Sequence, residues 1–256
     1  MGRELLAAAR DRDVEVAVAT SRTPEDGPIE GVELGPADQL RSLLDEHEVD
    51  VLVDFTVPEA SREAVAAAVE AETDVVAVIG TTGFDDDGLA ELRAASEDVP
   101  LLLAANFARG IQTLLAVVGD VAAALSDYDV ELVETHHNGK RDAPSGTAAR
   151  LLDEIETERE DPRRVHGREG DAPHSVDEIG VHSLRAGDVT GEHEIVLAGN
   201  REELRLTHRA GDRGVFAEGA LDAAEWLAGR GPGWYDFADV LDGSDAGPES
   251  AAPTGD

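Results

Sequence analysis

From Val14 to Asn106 the chain alternates short runs of Val, Ile, Leu and Ala with longer stretches whose apolar residues recur every three or four positions. VEVAVA (14–19), DVLVDF (50–55), DVVAVIG (74–80) and PLLLAAN (100–106) read as strands. GRELLAAAR (2–10), PADQLRSLLDEH (36–47), PEASREAVAAAVEAE (58–72) and DDDGLAELRAASE (85–97) read as helices. Pro58 falls in a first helical turn, where its missing N–H costs nothing. Strands apolar at nearly every position are buried on both faces, and alternation with helices makes their sheet parallel. The expectation for 1–106 is therefore an α/β, doubly wound, dinucleotide-binding domain.

After Asn106 the pattern changes. ARGIQTLLAVVGDVAAALS (108–126) reads as a long helix with few charges on one side, suited to a domain or subunit interface. DVELVE (129–134) reads as a strand, 146–156 as a helix, and the Arg-, Glu-, Gly- and Pro-rich segment 157–178 as a loop. IGVHSLRA (179–186), GEHEIVLAG (191–199) and EELRLTHRA (202–210) alternate with period two, as in a sheet with one buried face. A second, α+β domain is expected over 107–213. The helix GVFAEGALDAAEWLAG (214–229) carries an apolar stripe that returns the chain to the first domain, giving that domain 214–242 as well. The stretch 243–256 has no large apolar residue and is expected to be a disordered acidic tail.

Charge narrows the partners. The 256 residues hold 56 Asp and Glu against 21 Lys and Arg, a net charge of −35 spread along the chain. Such a surface repels nucleic acid and anionic membranes. It suits concentrated salt, where counterions screen the self-repulsion that opposes compaction. The absence of cysteine excludes disulfides, thiolate metal sites and cysteine nucleophiles. No apolar run reaches the ~20 residues of a membrane span, and no signal-peptide pattern is present, so the expected location is the cytoplasm.

A dinucleotide fold ordinarily begins with a strand and a Gly-rich turn leading to a helix whose N-terminus holds the pyrophosphate. Here Met1-Gly2-Arg3 runs directly into that helix, and Gly2 stands where the third glycine of the fingerprint would be. Either the true start lies upstream or the chain lacks this strand; the intact downstream pattern favours the first. After 14–19, where an acidic residue would hold the adenosine ribose, the chain has Ser21-Arg22. A hydroxyl and a guanidinium suit a 2′-phosphate, so NADPH is expected ahead of NADH; an ordinary solvated Ser-Arg pair is the other reading. Gly80-Thr81-Thr82 and Ala104-Ala105-Asn106-Phe107 follow two buried strands. Ligands of such sheets bind at the carboxyl ends of strands, and small residues there admit a nicotinamide and its ribose.

The densest chemistry lies at 134–147, ETHHNGKRDAPSGT. Lys140 is the only lysine; the other twenty basic residues are arginine. A guanidinium stays protonated at ordinary pH whereas an ammonium can give up a proton, which marks Lys140, beside His136 and His137, as a proton donor. Ser145-Gly146-Thr147 opens a helix, where unpaired N–H groups and the dipole attract an anion. The same residues also make an ordinary N-cap. HHNGKR is a positive focus in an acidic protein, which points to a small dianionic substrate. Adjacent histidines on an extended chain point in opposite directions and no acidic third ligand stands at a familiar spacing, so no metal is expected.

With VDFTVPE (53–59), GTTGF (80–84), AANF (104–107), ETHHNGKRDAPSGTA (134–148), LRAGDVTGEH (184–193) and LTHRA (206–210), the chain resembles the dihydrodipicolinate (4-hydroxy-tetrahydrodipicolinate) reductases of the diaminopimelate route to lysine, over about 2–241. The resemblance implies a cyclic imine dicarboxylate as substrate and NAD(P)H as hydride donor, with the 4-hydroxyl leaving as water. It makes His136 the general acid/base and Lys140 the proton donor. His137, Gly146 and Thr147 would hold the carboxylates, and 80–82 and 104–107 would flank the nicotinamide. It also implies a homotetramer joined through the second domain's sheet. The absent fingerprint strand and Ser21-Arg22 depart from the family pattern. Two other classes stay open: another two-domain amino-acid dehydrogenase, other than the cysteine-dependent semialdehyde type, and a non-catalytic dinucleotide-binding protein.

Overall fold

The computed structural model describes residues 1–23 and 27–243. The chain divides into two units, Met1–Phe107 with the segment from Gly214 onward, and Ala108–Arg213. The expected tail lies, except for Gly243, outside the described residues.

The first unit holds a parallel four-stranded sheet. Its strands are β3 (Val51–Asp54), β4 (Val76–Ile79), β5 (Pro100–Leu103) and β11 (Gly233–Tyr235), in the order β11-β5-β4-β3. Side chains alternate across a strand. Val76 and Val78 therefore face helix α7 (Gly214–Leu227), while Ala77 and Ile79 join Val65 of α3 (Pro58–Glu70) and Leu92 of α4 (Asp86–Ala95). Burial on both faces explains why β4 carries no polar residue. Helix α1 (Gly2–Asp11) packs against α7, where Ala8 and Ala9 meet Ala217 and Leu221. Gly219 of α7 is required by the close approach of the backbone after β5: a Cβ there would fall 1.8 Å from the Phe107 carbonyl oxygen.

The expected strand 14–19 is corrected. Only Ala19 of that run pairs; β1 is Ala19–Ser21, and its parallel partner β2 (Leu34–Pro36) lay unnoticed in the sequence. Residues 14–18 join no ladder among the described residues. β1 and β2 form a two-stranded sheet of their own. The expected helix 36–47 is a short 3₁₀ turn, Ala37–Gln39, followed by α2 (Leu40–Glu46). β11 and α8 (Phe237–Asp242) were also unforeseen. Phe237 of α8 stacks edge-on against Phe107, with ring centroids 5.3 Å apart.

The second unit is a five-stranded mixed sheet covered on one face by two helices. β6 (Asp129–His136) lies centrally, parallel to β8 (Glu178–Arg185) and antiparallel to β9 (Gly191–Gly199). β10 (Glu202–Ala210) pairs with β9. β7 (Arg163–His166) pairs with β8, where the sequence suggested only loop. β7 is too polar to show the period-two signal; its burial is nowhere complete. α5 (Arg109–Ala124) and α6 (Gly146–Thr157) place Leu114, Val118, Leu151 and Ile155 on Val130, Leu132, Ile195 and Leu197. The apolar side of α5 is thus spent within this unit's own core.

Candidate active site

On the helix-facing side of β6, positions 130 and 132 are Val and Leu, and the next two in phase are Glu134 and His136. The core face of the sheet therefore turns polar towards the carboxyl end of β6. Opposite Glu134, β9 supplies His193 and β8 supplies Ser183; opposite His136, β8 supplies Arg185. The expected strand 129–134 runs two residues further than its apolar pattern, and His136 is a strand residue rather than a loop residue.

Glu134 is fully buried. Arg185 donates to it through both terminal nitrogens, Nη1 to Oε2 at 2.9 Å and Nη2 to Oε1 at 2.8 Å. The Ser145 N–H donates to Oε1 at 3.3 Å, and His136 Nδ1 lies 2.5 Å from Oε2. Burial pushes the Glu134 carboxyl up, but hydrogen bonds from Arg185, Ser183 and His136 outweigh it and hold the pKa below the usual carboxylate value. For His136, burial pushes the imidazole down, Glu134 pulls it up, and the cations Lys140 and Arg185 push it down again; the balance falls below the ordinary histidine value. Neither Glu134 nor Arg185 was singled out in the sequence. The signal was available: a carboxylate at a core-phase position of an apolar strand is rare unless paired.

Beyond the strand, the Lys140 N–H donates to the His137 carbonyl at 3.1 Å, closing a turn in which His137 is exposed. Lys140 Nζ lies 2.9 Å from Asp142 Oδ1. Burial pushes the Asp142 carboxyl up, and the hydrogen bond from Lys140 overrides it, leaving its pKa lowered. The structure thus brings His136, Lys140 and the N-terminus of α6 together within one unit, as the motif suggested.

Ser145 caps α6. Its side chain is buried, 2% exposed, and its Oγ accepts from the Ala148 N–H at 3.1 Å as the N-cap of α6. The same oxygen lies 3.0 Å from His193 Nε2. Its hydroxyl oxygen thus serves as the helix cap, and Gly146 and Thr147 follow it in the first turn. Gly146 is exposed, and nothing lies within 4 Å of where its Cβ would stand.

His193 is the other unforeseen residue. It is 3% exposed, stands edge-on to His136 at 5.2 Å between centroids, and its Nδ1 is buried without a hydrogen-bond partner among the described residues. Burial, then the charge of His136, hold its pKa down at about 4; His208 and Lys140 add to this and Glu134 opposes it. Because the folded value lies below the ordinary 6.5, the unfolded chain takes up this proton first as pH falls. The stability that neutral His193 contributes is complete above pH ~6.5 and is lost towards pH ~4, a matter of about 3 kcal/mol. His193→Asn should flatten the stability–pH curve in that window. A denaturation series with an unchanged slope there would refute this.

In the first unit, the pairing Ile79↔Leu103 sets the ends of β4 and β5 side by side, so that Gly80-Thr81-Thr82 and Ala104–Phe107 are neighbours. Not all of them serve a ligand with side chains. A Cβ on Gly80 would fall 2.2 Å from the Phe55 ring, so this glycine makes room for Phe55. Thr81 is buried and its hydroxyl reaches Asp54 at 3.4 Å. Phe107 is 1% exposed between Phe55 and Phe237 and can offer a ligand only its backbone. Thr82 and Ala105 are exposed at the strand ends. Ser21 ends β1 with its hydroxyl accepting from the Thr23 N–H at 3.3 Å, and Arg22 beside it is exposed. Gly2 opens α1 with open space where a Cβ would stand. Exposed small residues at adjacent parallel strand ends, together with this open helix N-terminus, fit a dinucleotide.

Two family descriptions match: dihydrodipicolinate reductase N-terminus over residues 1–107, and C-terminus over 110–241. The chain belongs to the dihydrodipicolinate reductase family. The 4-hydroxy-tetrahydrodipicolinate reductase of Haloarcula marismortui is 55% identical over 94% of this chain and 95% of its own. That of Natronomonas pharaonis is likewise 55% identical, over the same shares. Among solved structures, the dipicolinate-bound dihydrodipicolinate reductase of Paenisporosarcina sp. TG-14 is 25% identical, covers 92% of each chain and superposes with a TM-score of 0.75. An amine dehydrogenase of Mycobacterium smegmatis, 13% identical with a TM-score of 0.56, shares the fold. The expected α/β parallel-sheet unit with a second α+β unit is the architecture found.

Proposed function

We propose that this protein reduces 4-hydroxy-tetrahydrodipicolinate to tetrahydrodipicolinate, with loss of water, in the diaminopimelate route to lysine. The observation that carries the reading is the cluster of His136 and Lys140 beside the N-terminus of α6, in a chain of this family. Gly146, Thr147 and His137 hold the substrate carboxylates, the first two with the helix-end amides. His136 serves as general acid/base and Lys140 gives up the proton. Proton transfer of this kind is worth about 10² to 10⁴ in rate. A bound nicotinamide cofactor supplies the hydride. Gly2, the backbone at Gly80–Thr82 and the stretch Ala104–Phe107 would hold that cofactor.

NADPH is the preferred donor in this reading, because the guanidinium of Arg22 and the hydroxyl of Ser21 suit a 2′-phosphate. The test is oxidation of NADPH and of NADH with freshly made substrate in molar KCl. Turnover with a Michaelis constant at least ten times lower for NADPH is expected. No turnover with either cofactor would overturn the function, and equal constants would overturn the preference.

Among the described residues, helices cover only one face of the second unit's sheet. Cross-strand ion pairs cover it, Arg209 with Glu192 and Arg205 with Glu194, around Val133 and Val196. This face joins the chains of a homotetramer in our reading; light scattering in molar KCl giving a monomer mass would refute it. No helix among the described residues is long and apolar enough to cross a membrane. A cytoplasmic location follows from the substrate and cofactor proposed, and recovery of the activity in a membrane fraction would refute it.

A further inference from the structure

We infer that Glu134, held ionised by Arg185, is the positioning residue that fixes His136 as its Nδ1–H tautomer and makes Nε2 the atom that exchanges a proton with substrate. The inference rests on the reading of His136 as general acid/base and adds two residues to it that neither the motif nor its spacing suggested.

The argument is one of donors and acceptors. A guanidinium has five N–H groups and no acceptor, and a backbone N–H can only donate. Arg185 and the Ser145 N–H therefore both require lone pairs from Glu134, and the two-pronged contact with Arg185 keeps the carboxyl a carboxylate. An ionised carboxylate accepts only, so the remaining short contact, to His136 Nδ1, needs the proton on nitrogen. Nε2 is then a bare lone pair in the neutral ring and an N–H in the imidazolium. The surroundings agree: Gly191 of β9 lies against this edge of the ring, and a Cβ there would approach Nε2 to 3.1 Å. The glycine leaves that nitrogen open.

The charged and titratable groups facing the ring come from four elements. Glu134 stands on its own strand, Arg185 on β8, His193 on β9 and Lys140 on the following turn. Glu134 pairs with Arg185, and Lys140 pairs with Asp142 at 2.9 Å. Arg185 also donates to the Asp142 carbonyl, and Glu134 accepts from the Ser145 N–H. One ion pair thereby anchors the acid, the turn that carries Lys140 and the mouth of α6. A buried pair of this kind is weak evidence for stability but a natural device for fixing geometry.

The test reads the ring directly. In wild-type protein in molar KCl, ¹⁵N shifts of the His136 ring should show the Nδ1–H tautomer above its pKa. In Glu134→Gln the amide oxygen goes to Arg185, and its NH₂ faces His136, which must then accept at Nδ1. The tautomer should flip, and kcat should fall at least ~30-fold with KM within ~3-fold. An Nε2–H tautomer in the wild type, or an unmoved ring in Glu134→Gln, overturns the inference; the first of these needs no variant to fold. A flipped ring with unchanged kcat would retire His136 as the acid while leaving Glu134 as its anchor.

Discussion

Lys140→Arg is expected to lower kcat by about 10² to 10³ while KM for substrate stays within a few-fold. The substitution keeps a cation beside Asp142, 2.9 Å away in the wild type, and so preserves the electrostatic pull on a dianion. It removes the ability to part with a proton, since guanidinium does not deprotonate in proteins. General acid catalysis is worth about 10² to 10⁴, and His136 remains to supply part of it. Steady-state kinetics of NADPH oxidation in molar KCl decide the matter. Near-normal turnover would remove Lys140 from the chemistry, and a KM raised with kcat intact would make it a binding residue only.

The second large effect is on stability. Cations cover only part of the carboxylate excess, and single arginines serve several acids at once. Arg12 meets Glu218, Asp222 and Glu225 at 3.4, 2.9 and 2.7 Å, and Arg168 meets both Glu131 and Glu178 at 3.0 Å. With a net charge of −35, the remaining repulsion acts over the screening length. That length shrinks from about 30 Å at 10 mM salt to about 3 Å at 1 M. Relief of long-range repulsion by about 5 kcal/mol corresponds to some 10–20 °C in melting temperature for a chain of this size. The melting temperature in 2 M KCl should therefore exceed that in 10 mM KCl by at least ~10 °C. The exposed ion pairs weaken with salt in the opposite direction, but each is worth little. A melting temperature indifferent to KCl would sink the salt-adapted reading.

The sequence by itself determined the elements whose burial is uniform or regularly periodic. β4 and β5 are apolar at every position because helices cover both sides, and β9 buries alternate positions from Gly191 to Leu197 because helices cover one side of its sheet. It also supplied the candidates for the site's reacting groups, because a solitary lysine, a histidine pair and a helix-opening Ser-Gly-Thr are chemical statements that need no packing to be read. Only the tertiary structure decided what depends on neighbours distant in the chain. β7 and β11 are strands because β8 and β5 present a ladder to them, not because of their own pattern, and 14–18 joins no ladder among the described residues. That the Ser145 hydroxyl caps α6 and meets His193 is likewise decided by folding. Glu134 reads as one acid among 56 until Arg185, fifty-one positions on, meets it in a buried setting. Local propensity fixes a residue's chemistry, but its protonation state and orientation belong to the low-dielectric surroundings that folding assembles.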